Sequence, residues 1–168
     1  MQESNYLECT SALIEKFQNL PLLANLDQRY VKQILSLSKL RKYSPGEAIT
    51  TEGGFDCWMY MLISGEVQVL KHGNKIAVID RIGETFGEMA VIDGGSRSAT
   101  IEAVTDTVCL ATDVSFMDRL QQPDRNAFSA VFYRLFAEII AQRLRDTNEE
   151  LSKTKQELAS LLRKKEGR

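Results

Sequence analysis

Between residues 40 and 113 the chain reverses direction again and again. Seven short stretches, KLRKYS, EAITTE, CWMYMLI, EVQVLK, KIAVIDR, SATIEAV and TVCLATD, are rich in β-branched and aromatic residues. The turns SPGE, EGGFD, ISGE and KHGNK separate them at regular intervals. Strands this short, with turns this frequent, predict an antiparallel sandwich or barrel rather than a parallel α/β sheet.

Helical patterns flank this zone, so the fold class expected is α+β, mainly β. In residues 5–40, Leu13, Ile14 and Phe17, then Val31, Ile34 and Leu35, recur at helical spacing, with the helix-breaking Pro21 between them. From Asp124 to Glu166 there is neither proline nor glycine, so one or two long helices are free to run. The expected layout is a helical segment at 1–40, a β region at 41–122 and a long C-terminal helix at 123–168. Leu144, Leu151 and Leu158 recur every seven residues in that helix. With them at heptad position d, Ala141, Asn148, Lys155 and Leu162 fall at a. Leucine at d with asparagine at a favours a parallel homodimer in register. An amphipathic helix packing on its own domain would show similar spacing.

Several function classes are disfavoured. A net charge of −2 across 168 residues is not the footprint of a chain that lives on nucleic acid or anionic lipid. No apolar run reaches membrane-spanning length, and the N-terminus has acids where a signal peptide needs a basic start. A cytoplasmic chain is expected. Cys9, Cys57 and Cys109 are scattered and odd in number, which predicts reduced, mostly buried thiols and neither a disulfide frame nor a metal site. The single histidine, His72, falls in the turn KHGNK and reads as a solvated turn residue. One histidine leaves little for metalloenzyme or triad chemistry, so no enzymatic activity is expected.

The stretch GETFGEMAVIDGGSRSATIEA, residues 83–103, stands apart. Phe86-Gly87 reads as a strand end, and Glu88-Met89-Ala90-Val91 as one helical turn. Unpaired N–H groups at such a turn suit an anion, and the small Gly87 and Ala90 let a ligand approach the backbone. Arg97 offers a forked grip for phosphate. Glu88, an acceptor when ionised, suits a hydroxyl donor such as a ribose 2′-OH. The pair describes a ribose-phosphate pocket, or equally a Glu-Arg salt bridge that fastens a loop.

The stretch F-G-E-M-A, the nine-residue step from Glu88 to Arg97 and the following R-S-A-T resemble the phosphate-binding cassette of the cyclic nucleotide-binding domain family. SPGEAITTEGGFDCWMYMLISGEVQVL is similar to that family's upstream β-roll. The resemblance implies an antiparallel, jelly-roll-like β-roll flanked by helices, and cAMP as ligand with cGMP as the other candidate. It implies that Glu88 binds the ribose 2′-OH, and that Arg97 and the N–H groups of the Met89-Ala90 turn bind the cyclic phosphate. Ser98 would touch phosphate or base, and Val69 would lie against base or sugar. RLRDTNEEL resembles the long helix of the bacterial members, which implies that Thr147 meets the base within its own subunit and Asn148 does so across the dimer. Phe55 stands where the family commonly has an acidic residue, in a turn expected to lie away from the cassette. The function implied is a ligand-coupled regulatory sensor with an unidentified downstream effector, no metal and no direct DNA contact. The alternatives are a ligand-free dimerisation module on the same fold, and the sensor half of a transcription regulator lacking its DNA-binding domain.

Overall fold

The computed structural model of the protein describes residues 1–20, 23–24, 26–115 and 124–166. Pro21 and the expected 122/123 boundary lie outside these. The described chain divides into a first unit, Met1–Val131, and a second, Phe132–Arg168.

Helices α1 (Ser11–Gln18) and α2 (Gln28–Ser36) follow the predicted spacing, with Phe17, Val31, Ile34 and Leu35 buried. Each begins on a side-chain cap: Thr10 Oγ1 accepts from the N–H of Leu13, and Asp27 Oδ1 from that of Arg29.

Nine strands occur among the described residues, all paired antiparallel: β1 (Gln2–Glu3), β2 (Ser38–Tyr43), β3 (Ala48–Thr50), β4 (Trp58–Ser64), β5 (Val67–Lys71), β6 (Asn74–Ile79), β7 (Thr85–Phe86), β8 (Thr100–Ala103) and β9 (Thr107–Asp113). One sheet runs β1-β2-β9-β4-β7 and the other β3-β8-β5-β6. Their inner faces meet in one core. Tyr43, Tyr60, Leu62, Phe86, Cys109 and Ala111 come from the first sheet; Ile49, Val67, Ile79, Ile101 and Ala103 come from the second. The sandwich is the architecture the turn spacing predicts. Gly65 shows why the turn after β4 needs glycine. Its φ is +92°, and a Cβ there would sit 2.6 Å from the carbonyl oxygen of Asp106.

Three sequence expectations need correction. Among the cysteines only Cys109 is buried; Cys9 is intermediate and Cys57 exposed, because Cys57 falls in the turn before β4 and not in the strand. All three are free thiols. His72 is exposed but not merely solvated, since its Nδ1 lies 3.2 Å from Glu52 Oε1. The strands β1 and β7, two residues each, are additions to the expected set.

Helix α4 (Asp124–Glu166) runs unbroken, as the absence of proline and glycine allows, and its residues from Phe132 onward belong to the second unit. Phe132, Leu135 and Phe136 are buried, and the Phe132 and Phe136 rings meet edge to face at 5.6 Å. Farther along, Leu144, Leu151 and Leu158 are exposed. Among the described residues no helix is long and apolar enough to cross a membrane.

Candidate functional site

Strand β7 delivers the chain to Gly87, whose φ of +86° turns it into α3 (Glu88–Asp93). This is the strand end and helical turn expected from the sequence. Gly87 is the N-cap, and a side chain there would be both strained and crowded. A Cβ there would lie 2.5 Å from Arg97 Nη1 and 3.2 Å from the carbonyl oxygen of Trp58. Glu88 follows at once and is 1% exposed. Ala90 is also buried, while Met89 faces outward.

Arg97 is fixed by its backbone before its side chain is considered. Its N–H donates to the carbonyl of Gly54 at 2.8 Å, and its carbonyl accepts from the N–H of Gly53 at 2.9 Å. These two bonds join the end of the cassette to the glycine turn before β4. The turn expected to lie away from the cassette is in contact with it. Asp56 of that turn, and no acid adjacent to Arg97 in sequence, forms its forked ion pair.

The guanidinium is 3% exposed and makes four hydrogen bonds to described residues. Nε donates to Asp56 Oδ2 at 3.0 Å and Nη2 to Asp56 Oδ1, which together form a fork. Nη1 donates to the carbonyl of Gly87 at 2.6 Å, and Nη2 also to the carbonyl of Trp58 at 2.5 Å. Its Cζ lies 5.9 Å from the centre of the Tyr60 ring. A guanidinium has five N–H groups. Among the described residues only one, on Nη1, remains uncommitted, so a forked grip on phosphate requires Arg97 to release at least one of these acceptors.

The other predicted site residues fall as follows. Ser98 is exposed, with its hydroxyl 3.8 Å from Met89 Sδ. Its carbonyl accepts from Lys71 Nζ at 2.5 Å, and Lys71 also pairs with Glu52 at 2.8 Å. The β5–β6 hairpin is thereby tied to the cassette. Val69 is half-buried and packs on the sandwich core. The first unit thus gathers Gly87, Glu88, Met89, Ala90, Arg97, Ser98 and Val69 on the roll. Thr147 and Asn148 belong to the second unit, exposed on α4.

Sequence reasoning missed Asp56, Trp58 and Tyr60. A signal existed: an acid two residues after the Gly53-Gly54 pair, beside the position where Phe55 breaks the family pattern. A cavity of about 590 Å³, lined in part by Met1, Lys42, Glu47 and Asp106, contains none of the cassette residues. No cluster of histidine, cysteine or acidic side chains among the described residues is arranged to hold a metal ion.

A buried carboxylate and a buried guanidinium at the two ends of a glycine-turned cassette, carried on a β-roll, define a class. Residues 40–124 match the Cyclic nucleotide-binding domain family, and the chain belongs to that family. It is 36% identical over 91 residues to the mouse potassium/sodium hyperpolarization-activated cyclic nucleotide-gated channel 2, a match covering 54% of this chain and 10% of the channel. It is 28% identical over 103 residues to the cAMP-dependent protein kinase regulatory subunit of Schizosaccharomyces pombe, covering 61% of this chain and 25% of that protein. The chain thus spans a tenth to a quarter of these relatives' lengths. Among solved structures, the Thermus thermophilus catabolite activator protein superposes with a TM-score of 0.63 at 30% identity, over 79% of this chain and 62% of that one.

Proposed function

We propose that this chain is a cAMP-binding regulatory module that dimerises through α4 and transmits nucleotide binding to an effector without catalysis. The observation that carries this reading is Arg97. A guanidinium buried to 3% exposure, set by two backbone bonds at the end of the cassette, is where a cyclic phosphate would need it. Glu88, equally buried at the other end, would accept from the ribose 2′-OH. A glycine at 87 would let the ligand come close to the backbone N–H groups of Met89 and Ala90, Ser98 would face phosphate or base, and Val69 the base or sugar.

The module divides at about residues 40 and 122 into a helical segment, the roll and the dimerising helix. Its free thiols fit a reducing, cytoplasmic setting. Thr147 and Asn148, exposed on α4, are the groups proposed to meet the base, Asn148 from the partner subunit. A hydroxyl and an amide can each serve adenine or guanine, so the preference for cAMP over cGMP is modest. Thr147→Ala narrows it, and Asn148→Ala also weakens the ligand's effect on dimer stability.

A second reading has its own observation. Arg97 already holds Asp56 and two carbonyls, as a purely structural brace would. Calorimetry with cAMP and with cGMP decides. Binding of cAMP that falls ~30-fold or more in Arg97→Ala supports the sensor, since losing one partner of a desolvated charge pair costs ~2–5 kcal/mol. Silence toward both nucleotides supports the brace, and tighter binding of cGMP overturns the choice of cAMP.

A further inference from the structure

The arginine of the cassette has a second arginine behind it. Arg41 of β2 and Arg97 both place Cζ 5.9 Å from the centre of the Tyr60 ring. Arg41 Nη1 donates to the Tyr60 hydroxyl at 3.0 Å, and its Cζ lies 3.9 Å from the centre of the Trp58 ring. Trp58 is the residue whose backbone frames the site. Its carbonyl accepts from Arg97 Nη2 at 2.5 Å, and its N–H donates to Asp56 Oδ1 at 2.9 Å. A displacement of Trp58 that reaches its backbone would move both the carbonyl that holds Arg97 and the carboxylate paired with it.

Arg41 is held from outside. Its Nε donates to Glu3 Oε2 at 2.8 Å, and Glu3 Oε1 accepts from Lys39 Nζ at 2.7 Å. Glu3 sits on β1, which pairs with β2 through Gln2↔Lys42 and Glu3↔Arg41. The run Glu3, Arg41, Trp58 and Tyr60, Arg97 is a continuous set of contacts from the N-terminal strand to the cassette.

We propose that Arg41 is a positioning residue for the phosphate-binding arginine, acting through Trp58 and Tyr60, and that Glu3 of the N-terminal strand sets Arg41 in turn. The proposal rests on the nucleotide-binding reading and extends it to residues outside the cassette. Planarity matters here, because a guanidinium stacks flat on an aromatic face, whereas an ammonium meets it only as a point charge. The residues in contact are close enough for their effects on binding to be coupled.

The test is a cAMP titration of the full chain and its variants, read by calorimetry and by the emission of Trp58, the single tryptophan. Arg41→Ala should weaken cAMP binding ~10-fold, within the range of coupling between residues of one contact network. Arg41→Lys, which keeps the charge and loses the plane, should recover only part of this. Glu3→Gln leaves the core untouched and should weaken binding ~2–3-fold, at the low end of that range. In an Arg97→Lys background, Arg41→Ala should add little, whereas a merely structural Arg41 would cost the same in both backgrounds. Unchanged affinity in a folded Arg41→Ala variant, or full additivity with Arg97→Lys, overturns the role of Arg41. An unaltered protein that binds neither cAMP nor cGMP overturns the nucleotide reading itself, and the two failures are distinguishable in one experiment.

Discussion

Asp56 and Arg97, 41 residues apart in sequence, meet as a forked ion pair at the mouth of the cassette. The two are unequally buried, with the arginine side chain at 3% exposure and the aspartate at 34%. The pair therefore has an inside and an outside partner, and the outside one is the one that a nucleotide phosphate would replace. Asp56→Asn keeps the shape and removes the charge. In the free protein it should cost ~1.5–3 kcal/mol, the range for a hydrogen bond to a charged group. In the complex the phosphate supplies the missing charge, so cAMP should bind more tightly, by ~5–10-fold. Thermal unfolding with and without cAMP measures both parts. Weaker binding in Asp56→Asn would mean that Asp56 holds Arg97 ready for the ligand rather than competing for it.

Gly87 supplies a second prediction with its own control. Alanine at 87 meets both a left-handed backbone, φ +86°, and Arg97 Nη1 at 2.5 Å. Alanine at 94 meets a similar backbone, φ +65°, with nothing within 4 Å. Both should lower stability by ~1–3 kcal/mol through backbone strain. Only Gly87→Ala should also weaken cAMP binding, by ~10-fold or more, because it displaces the guanidinium. Equal affinities in the two variants would separate Gly87 from the site.

What could be read from the sequence follows from the range of each signal. Helices α1 and α2 announced themselves through Phe17, Val31, Ile34 and Leu35, whose spacing is local. The long strands announced themselves through composition and their bounding glycines. Strands β1 and β7 hold two residues each, too few for any period to register. Glu88, Arg97 and their turn were legible because the cassette is contiguous. The Asp56 fork was not, because two backbone bonds between Arg97 and the Gly53-Gly54 turn create it, and the acid's place after that turn does not by itself say which distant segment it meets. Cys57 was misread for a related reason. It borders a buried strand, and one position of offset decides whether a side chain faces core or water.

The leucines of α4 carry a third prediction. Leu144, Leu151 and Leu158 are exposed at 59%, 48% and 56%, a stripe that a parallel partner helix would cover. Replacing Leu151 and Leu158 with glutamate should convert a dimer to a monomer in sedimentation equilibrium, with little change in the thermal unfolding of the β-roll. An unaltered protein that stays monomeric at tens of micromolar, with and without cAMP, removes the helix as a dimer interface.

The N-terminal strand should respond to acid. Glu3 is hydrogen-bonded to Lys39 and then Arg41, and these bonds hold its carboxyl below the usual carboxylate range. A depressed folded pKa stabilises the strand fully above the ordinary value of about 4.3. That contribution is lost as the pH falls through the lowered folded value. Glu47, which accepts from the Met1 amine and from the N–H of Ser44, is lowered for the same kind of reason and anchors the same segment. Below about pH 4.3 the backbone bonds from the Ser4 N–H to the Leu40 carbonyl and from the Leu7 N–H to the Ser38 carbonyl should open together. Amide exchange, expressed as protection over the intrinsic rate at each pH, reports this directly. In Glu3→Gln the protection of Ser4 should be low already at neutral pH and should vary little on acidification, whereas Glu47→Gln should leave most of the wild-type profile in place. Protection of Ser4 that stays flat from pH 6 to pH 3 in the unaltered protein would show that neither carboxylate holds the strand.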